Sequence, residues 1–303
     1  MLNITEQNII IISAILIGMV LLLIAFCYSN ILTKLRNKHR KNEINILKNE
    51  IDLFFSWSAN HFSPEDVIRN ANKTEIDALK RILDTTKESP AQQITELRYA
   101  GSHTVAWLFR KLRGHEAEVS YDEIIIDVAN KYKVTIKPNI SYAETEALIV
   151  AASFKEILSN LKEAQRQELL EKIEAEAKYH GKEIKSVGTV TASIVAAQAS
   201  GFGIYLMAST VVGACTHALG ITLPFVFYTG MSQAIAVIIV PLGWTALAIW
   251  AIGKLSAPAY RKTVPAILLI AAIRSRLEQQ RLDHIHELDV RKQWLEKHME
   301  LSR

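Results

Sequence analysis

Residues 186–253 contain no Asp, Glu, Lys or Arg, and sixty-eight consecutive residues without a formal charge cannot make an ordinary water-facing surface. Glycines at 201, 203, 213, 220, 230 and 243, together with Pro224 and Pro241, divide the block. Its two most hydrophobic pieces, 204–228 and 231–252, are each long enough to span a bilayer. Small residues such as Gly213, Ala214, Ala218 and Gly220 permit close helix packing in lipid. Thr189, Gln198, Thr210, His217 and Gln233 are scattered through it and suit either a membrane or a protein interior. A membrane-embedded hairpin is the expectation, and a hairpin buried inside a helical bundle is the competing reading.

A second charge-free run, Ile9–Phe26, opens the chain. Eighteen helical residues rise roughly 27 Å, close to the hydrocarbon thickness of a bilayer. No Lys or Arg precedes this run and no Ala-x-Ala site follows it, so an uncleaved anchor is expected rather than a signal peptide. Lys34, Arg36, Lys38, Arg40 and Lys41 come directly after it, against Glu6 alone before it. The positive-inside bias then puts the N-terminus outside and the main domain in the cytoplasm, at an inner (plasma) membrane. Anionic lipid headgroups are the expected partners of those cations. A net charge of +4 gives no basic face for nucleic acid. Cys27 and Cys215 sit far apart in apolar segments, which argues against a disulfide or thiolate metal site.

Between the two apolar regions the chain reads as helix after helix. Ser63-Pro64 places a capping serine before a proline at the first helical position. Thr74 with Asp77 imitates a capping box, while Ser120 with Glu123 and Ser141 with Glu144 match it strictly. Apolar residues follow at helical spacing, as in Ile76, Leu79, Ile82 and Leu83. Ile124-Ile125-Ile126 is read as buried helix because a cap precedes it, and Gly114 as a helix stop. The stretch around 162–180 alternates charges like a solvated helix packed on one face. The tail 274–303 reads as a charged surface or coiled-coil helix, with Trp294 a partner anchor.

The expected fold class is therefore all-α. Its parts are an N-terminal transmembrane anchor (1–30), a cytoplasmic helical domain (31–185), a hydrophobic helical region (186–273) and a charged C-terminal helix (274–303).

Arg110-Lys111-Leu112-Arg113-Gly114-His115, the helical pair in Ser141–Ile173 and the string Ala259-Tyr260-Arg261-Lys262-Thr263-Val264-Pro265 resemble elements of the YaaW family of uncharacterised bacterial proteins. The core of that family is assigned to the ubiquinol–cytochrome c chaperone superfamily. The resemblance covers roughly residues 65–280, implies a chaperone-like helical domain and supplies no catalytic residues.

No phosphate-binding loop, dinucleotide fingerprint or nucleophile elbow is present, and HExxH spacing occurs nowhere. No catalytic, cofactor-binding or metal-ligating residue is therefore assigned, and no cofactor is expected. The positions worth testing are Arg113, His115, Tyr260, Arg261 and Pro265 from the resemblance. His217 joins them as the titratable imidazole of the uncharged block. The leading functional expectation is a non-enzymatic, membrane-anchored adaptor or assembly protein with a protein partner and no nucleic acid. The alternatives are a membrane-active effector acting through 186–253 and an enzyme using His115 and His217. Homo-oligomerisation stays open.

Overall fold

The computed structural model describes residues 4–102, 119–179, 201–221, 223 and 258–300, with 4–17 described by backbone alone. Every regular element among them is helical. In chain order these are α1 (Ile4–Ser56), a 3₁₀ turn (Ala59–His61), α2 (Pro64–Arg69), α3 (Lys73–Leu83) and α4 (Pro90–Gly101). There follow α5 (Tyr121–Lys131), α6 (Tyr142–Asn160), α7 (Glu163–Tyr179), α8 (Gly201–Ala218) and α9 (Pro258–Glu300).

Capping chemistry sets most of the starts. The hydroxyls of Ser63, Ser120 and Ser141 accept from the amides of Asp66, Glu123 and Glu144, and each carboxylate reaches back to the capping amide. Before α3 the box is Asn72–Glu75, two residues ahead of the expected Thr74–Asp77. Asn72 Oδ1 accepts from the Glu75 amide at 3.0 Å and Glu75 Oε2 from the Asn72 amide at 2.8 Å. Asn caps at least as well as Thr, and Glu at the third helical position is the usual partner that closes the box. Gly220 ends α8 at φ +70°, where the Ile221 amide bonds back to the Thr216 carbonyl in a Schellman arrangement.

The chain forms two compact units, Met1–Trp57 with Leu282–Arg303, and Ser58–Arg281. Helix α9 runs through residues 273 and 274 without a break and contributes to both. In the first unit a seam joins Ile44, Leu47 and Ile51 of α1 to Ile285, Leu288 and Leu295 of α9. Steps of three and four on α1, and of three and seven on α9, are those of a coiled coil. Arg40 donates to the His298 carbonyl at 2.9 Å and satisfies one of the last acceptors of α9. N-terminal to the seam, α1 exposes Met19, Leu22, Leu23 and Phe26.

In the second unit α6 packs against α5, α8 and the 3₁₀ turn, while α4 lies against α2, α3 and α5. Gly101 permits the last contact, since a Cβ there would meet Ile124 Cγ1 at 2.7 Å. Leu206, Val211, Val212 and Cys215 of α8 are completely buried in the same core as Phe154 and Leu158 of α6. Thr210 and Thr216 enter that core by bonding their hydroxyls to Leu206 and Val212 carbonyls, both at 2.8 Å.

The membrane expectation requires correction. Among the described residues no helix is long and apolar enough to cross a membrane. The transmembrane anchor at 1–30 is overturned on this finding, and with it the inner-membrane, N-terminus-out, cytoplasmic-domain placement. The described part of the uncharged block, α8, lies in the protein core. The expected stop at Gly114 and the apolar piece 231–252 lie outside the described residues.

Candidate functional site

The strongest concentration of charge inside the second unit is built on α9. Arg274 is only 2 % exposed. Its Nε and Nη2 donate to the two carboxylate oxygens of Glu146 on α6, at 2.7 and 3.0 Å. Nη1 donates to the carbonyls of Ala59 and Phe62, at 2.6 and 2.7 Å. Tyr121 of α5 adds its hydroxyl to Glu146 at 2.9 Å. One guanidinium thereby ties the 3₁₀ turn and α6 to α9, and α5 joins through the shared carboxylate. Burial acts against the Arg274 charge, but Glu146 outweighs it and holds the guanidinium above its ordinary value. Burial, then Glu146, push the Tyr121 phenol well up.

Two further arginines repeat the pattern. Arg276 grips Glu75 in a bidentate pair at 2.6 and 2.7 Å and also reaches the Asn70 carbonyl. Arg281 pairs with Glu278, whose carboxylate accepts from the Ser58 hydroxyl and the Ala59 amide, each at 3.1 Å. Glu146 and Arg274 have their charges and hydrogen-bonding capacity turned on each other and on backbone. Such a cluster fixes helix positions and offers no lone acid or base to a substrate.

The second feature is a cleft of about 770 Å³ between α5, the 132–141 connection and the start of α6. Ile125, Ile126, Val134, Ile136 and Ile140 give it an apolar lining, and Lys133 and Lys137 stand at its edge. Its acid, Asp122, accepts a hydrogen bond from the Tyr142 hydroxyl at 3.2 Å. Burial, then Asp122, raise the Tyr142 pKa.

The positions picked out from sequence are distributed over the chain. Arg113 and His115 lie outside the described residues. His217 is exposed in the last turn of α8, and partial burial of its ring lowers its pKa. Tyr260 packs half-buried beside α5, bonded to Asp127 and with Lys131 Nζ 4.8 Å from its ring centre. Arg261 is exposed, and Pro265 is buried within α9. Next to them Lys262 donates to the Leu83 carbonyl at 2.7 Å and so caps the end of α3. Cys215 is buried and its thiol is pushed up to about 12, which removes it as a nucleophile. Among the described residues no group of His, Cys, Asp and Glu is placed to hold a metal ion.

Sequence reasoning missed the Arg274 cluster because it counted the charges of 274–303 as surface. The signal was phase: Arg274, Glu278 and Arg281 follow Ile267, Ile270 and Ala271 at steps of three and four, on one helical stripe.

A curated UPF0174 protein of Helicobacter pylori strain J99 is 27% identical over 189 residues, covering 62% of this chain and 72% of that protein. A UPF0174 protein of Helicobacter pylori strain 26695 is 26% identical over 219 residues, covering 69% of this chain and 99% of that protein. No family model matches the chain, and no solved structure matches it. Nothing in these findings points to the YaaW family or the ubiquinol–cytochrome c chaperone superfamily, and that resemblance is corrected accordingly. It rested on a few short strings of residues, and the relatives found carry a different family name. No catalytic family is indicated by the relatives.

Proposed function

We propose that the chain is a non-enzymatic adaptor or assembly protein that takes a protein partner on the exposed apolar side chains of α1. The observation that carries this reading is their exposure. Met19, Leu22, Leu23, Ile24 and Phe26 are all more than half exposed, Leu22 at 72%. A contiguous apolar patch of this kind marks an interaction surface on a folded protein. The satisfied Arg274 cluster supports the same reading, because it gives the second unit fixed helix positions and leaves its buried charges no partner to act on. The alternative of a bilayer-perturbing hairpin finds less support, since α8 is enclosed by protein.

The test is a photo-crosslinking side chain placed at Leu22 or Phe26 of the full chain in cells, with Lys48 as the control position. The expected result is one recurrent protein adduct from both apolar positions and none from the control, abolished when Met19→Asp and Leu23→Asp are added beside the probe. Adducts to lipid alone, or binding of the purified chain to vesicles without any protein adduct, would overturn the proposal.

A further inference from the structure

An adaptor needs a second surface, and the second unit carries one that is independent of α1. Along Val134–Lys137 exposure alternates: Thr135 and Lys137 face water, while Val134 and Ile136 are half-buried against the core; Lys133 before them is exposed and ends α5 in the left-handed region at φ +57°. The alternation is the in-and-out pattern of a strand, although no strand lies beside it among the described residues. The Lys133 and Val134 amides bond back to Asn130 and Ala129. Beyond them, the amides and carbonyls of Thr135, Ile136 and Lys137 make no hydrogen bond among the described residues. Among the described residues they form a short unpaired edge along the 770 Å³ cleft. Open backbone edges of this kind are what extended peptides pair with.

Chemistry of the surroundings narrows the partner. Ile126 is 47% exposed on the facing helix and supplies an apolar wall. Lys133 and Lys137 provide two cations at the rim. The acid of the cleft, Asp122, is held by the Tyr142 hydroxyl. Three paired residues at about 3.3 Å each give a ladder of roughly 10 Å, enough to register a peptide of five or six residues. We infer that this groove docks an extended segment of a partner protein in which apolar side chains alternate with acidic ones. The apolar set enters between Ile126 and Ile136, the acids meet Lys133 and Lys137, and the backbone pairs with Thr135–Lys137.

The experiment uses the full chain and a fluorescent hexapeptide of alternating valine and glutamate, read by anisotropy and by amide hydrogen exchange. The expected result is saturable binding, with slowed exchange at Thr135, Ile136 and Lys137. Lys133→Glu with Lys137→Glu should weaken binding by about tenfold or more, and Ile126→Asp should weaken it without charge reversal at the rim. Both substitutions are at exposed positions, and an unchanged circular dichroism spectrum verifies folding. Leu22→Asp should leave this binding intact, so failure of the α1 proposal and failure of this one are separable. Equal binding of a valine–lysine hexapeptide, absence of binding at millimolar peptide, or binding with unchanged exchange at 135–137 would each overturn the inference. So would displacement of the peptide by a single-stranded oligonucleotide at equal concentration, which would make the groove a nucleic-acid site.

Discussion

The two units use the same helix, α9, in opposite ways. In the second unit Arg274, Glu278 and Arg281 of α9 are inside, with Arg274 and its partner Glu146 at 3 and 1 % side-chain exposure. In the first unit Arg291 of α9 is outside, where it meets Glu43 at 62 and 26 %. The first unit holds together along one seam of six buried apolar side chains, and its outer faces leave Leu53, Val290 and Trp294 in water. The second unit surrounds α6 and α8 with neighbours, so a polar group there must find a protein partner. The difference teaches that a charge on a helix says little by itself. How many helices pack around it decides whether it solvates a surface or pins a core.

Breaking the buried pair should have the largest effect. Glu146→Ala leaves the Arg274 guanidinium uncompensated and should cost about 3–5 kcal/mol in chemical denaturation of the second unit. A loss under about 1 kcal/mol would mean that water reaches the site and that the two units do not differ in this way. Core truncation should rank next. Leu206→Ala in the second unit should lie high in the range of about 2–5 kcal/mol for such changes, and Leu47→Ala in the one-seam unit near its low end. Equal costs would erase the contrast.

Alkaline pH should separate the units further. Burial raises the Cys215 thiol from 9.0 to about 12, and raises the phenols of Tyr121 and Tyr132 well above their ordinary range. These groups ionise more easily in the unfolded chain than in the folded one. Their contribution is complete below pH 9 and is lost as pH rises from there toward 12. The slope is up to about 1.4 kcal/mol per pH unit for each group. Urea midpoints measured at pH 8, 10 and 11 should fall for the second unit, and a flat profile would show these groups to be solvated. Ser141→Ala removes one helix cap and should cost about 1 kcal/mol by thermal melting. Arg291→Ala should be the mildest, within about 1 kcal/mol in the same measurement, because an exposed pair gains little over water. A larger loss there would mean that the face carrying Arg291 is covered in solution.

Local chemistry made the helical class and several helix starts legible. Ser63-Pro64, Ser120–Glu123 and Ser141–Glu144 involve residues three or four apart, and such contacts need no knowledge of the rest of the chain. Periodicity likewise marked Leu79, Ile82 and Leu83 as buried. Hydropathy alone could not say what surrounds an apolar segment, because lipid and a protein core ask for similar side chains. The Gly201–Ala218 segment was therefore open between the two from sequence, and only its packing against α6 put it among protein side chains. The cleft along Thr135–Lys137 was equally hidden, since its walls come from α5 and the start of α6, and only the fold brings them together. The sequence by itself determined where helices begin and which of their faces are apolar, through interactions within a few turns. Only the tertiary structure decided that Arg274 is interior and Arg291 is not, because their partners, Glu146 and Glu43, are 128 and 248 residues away.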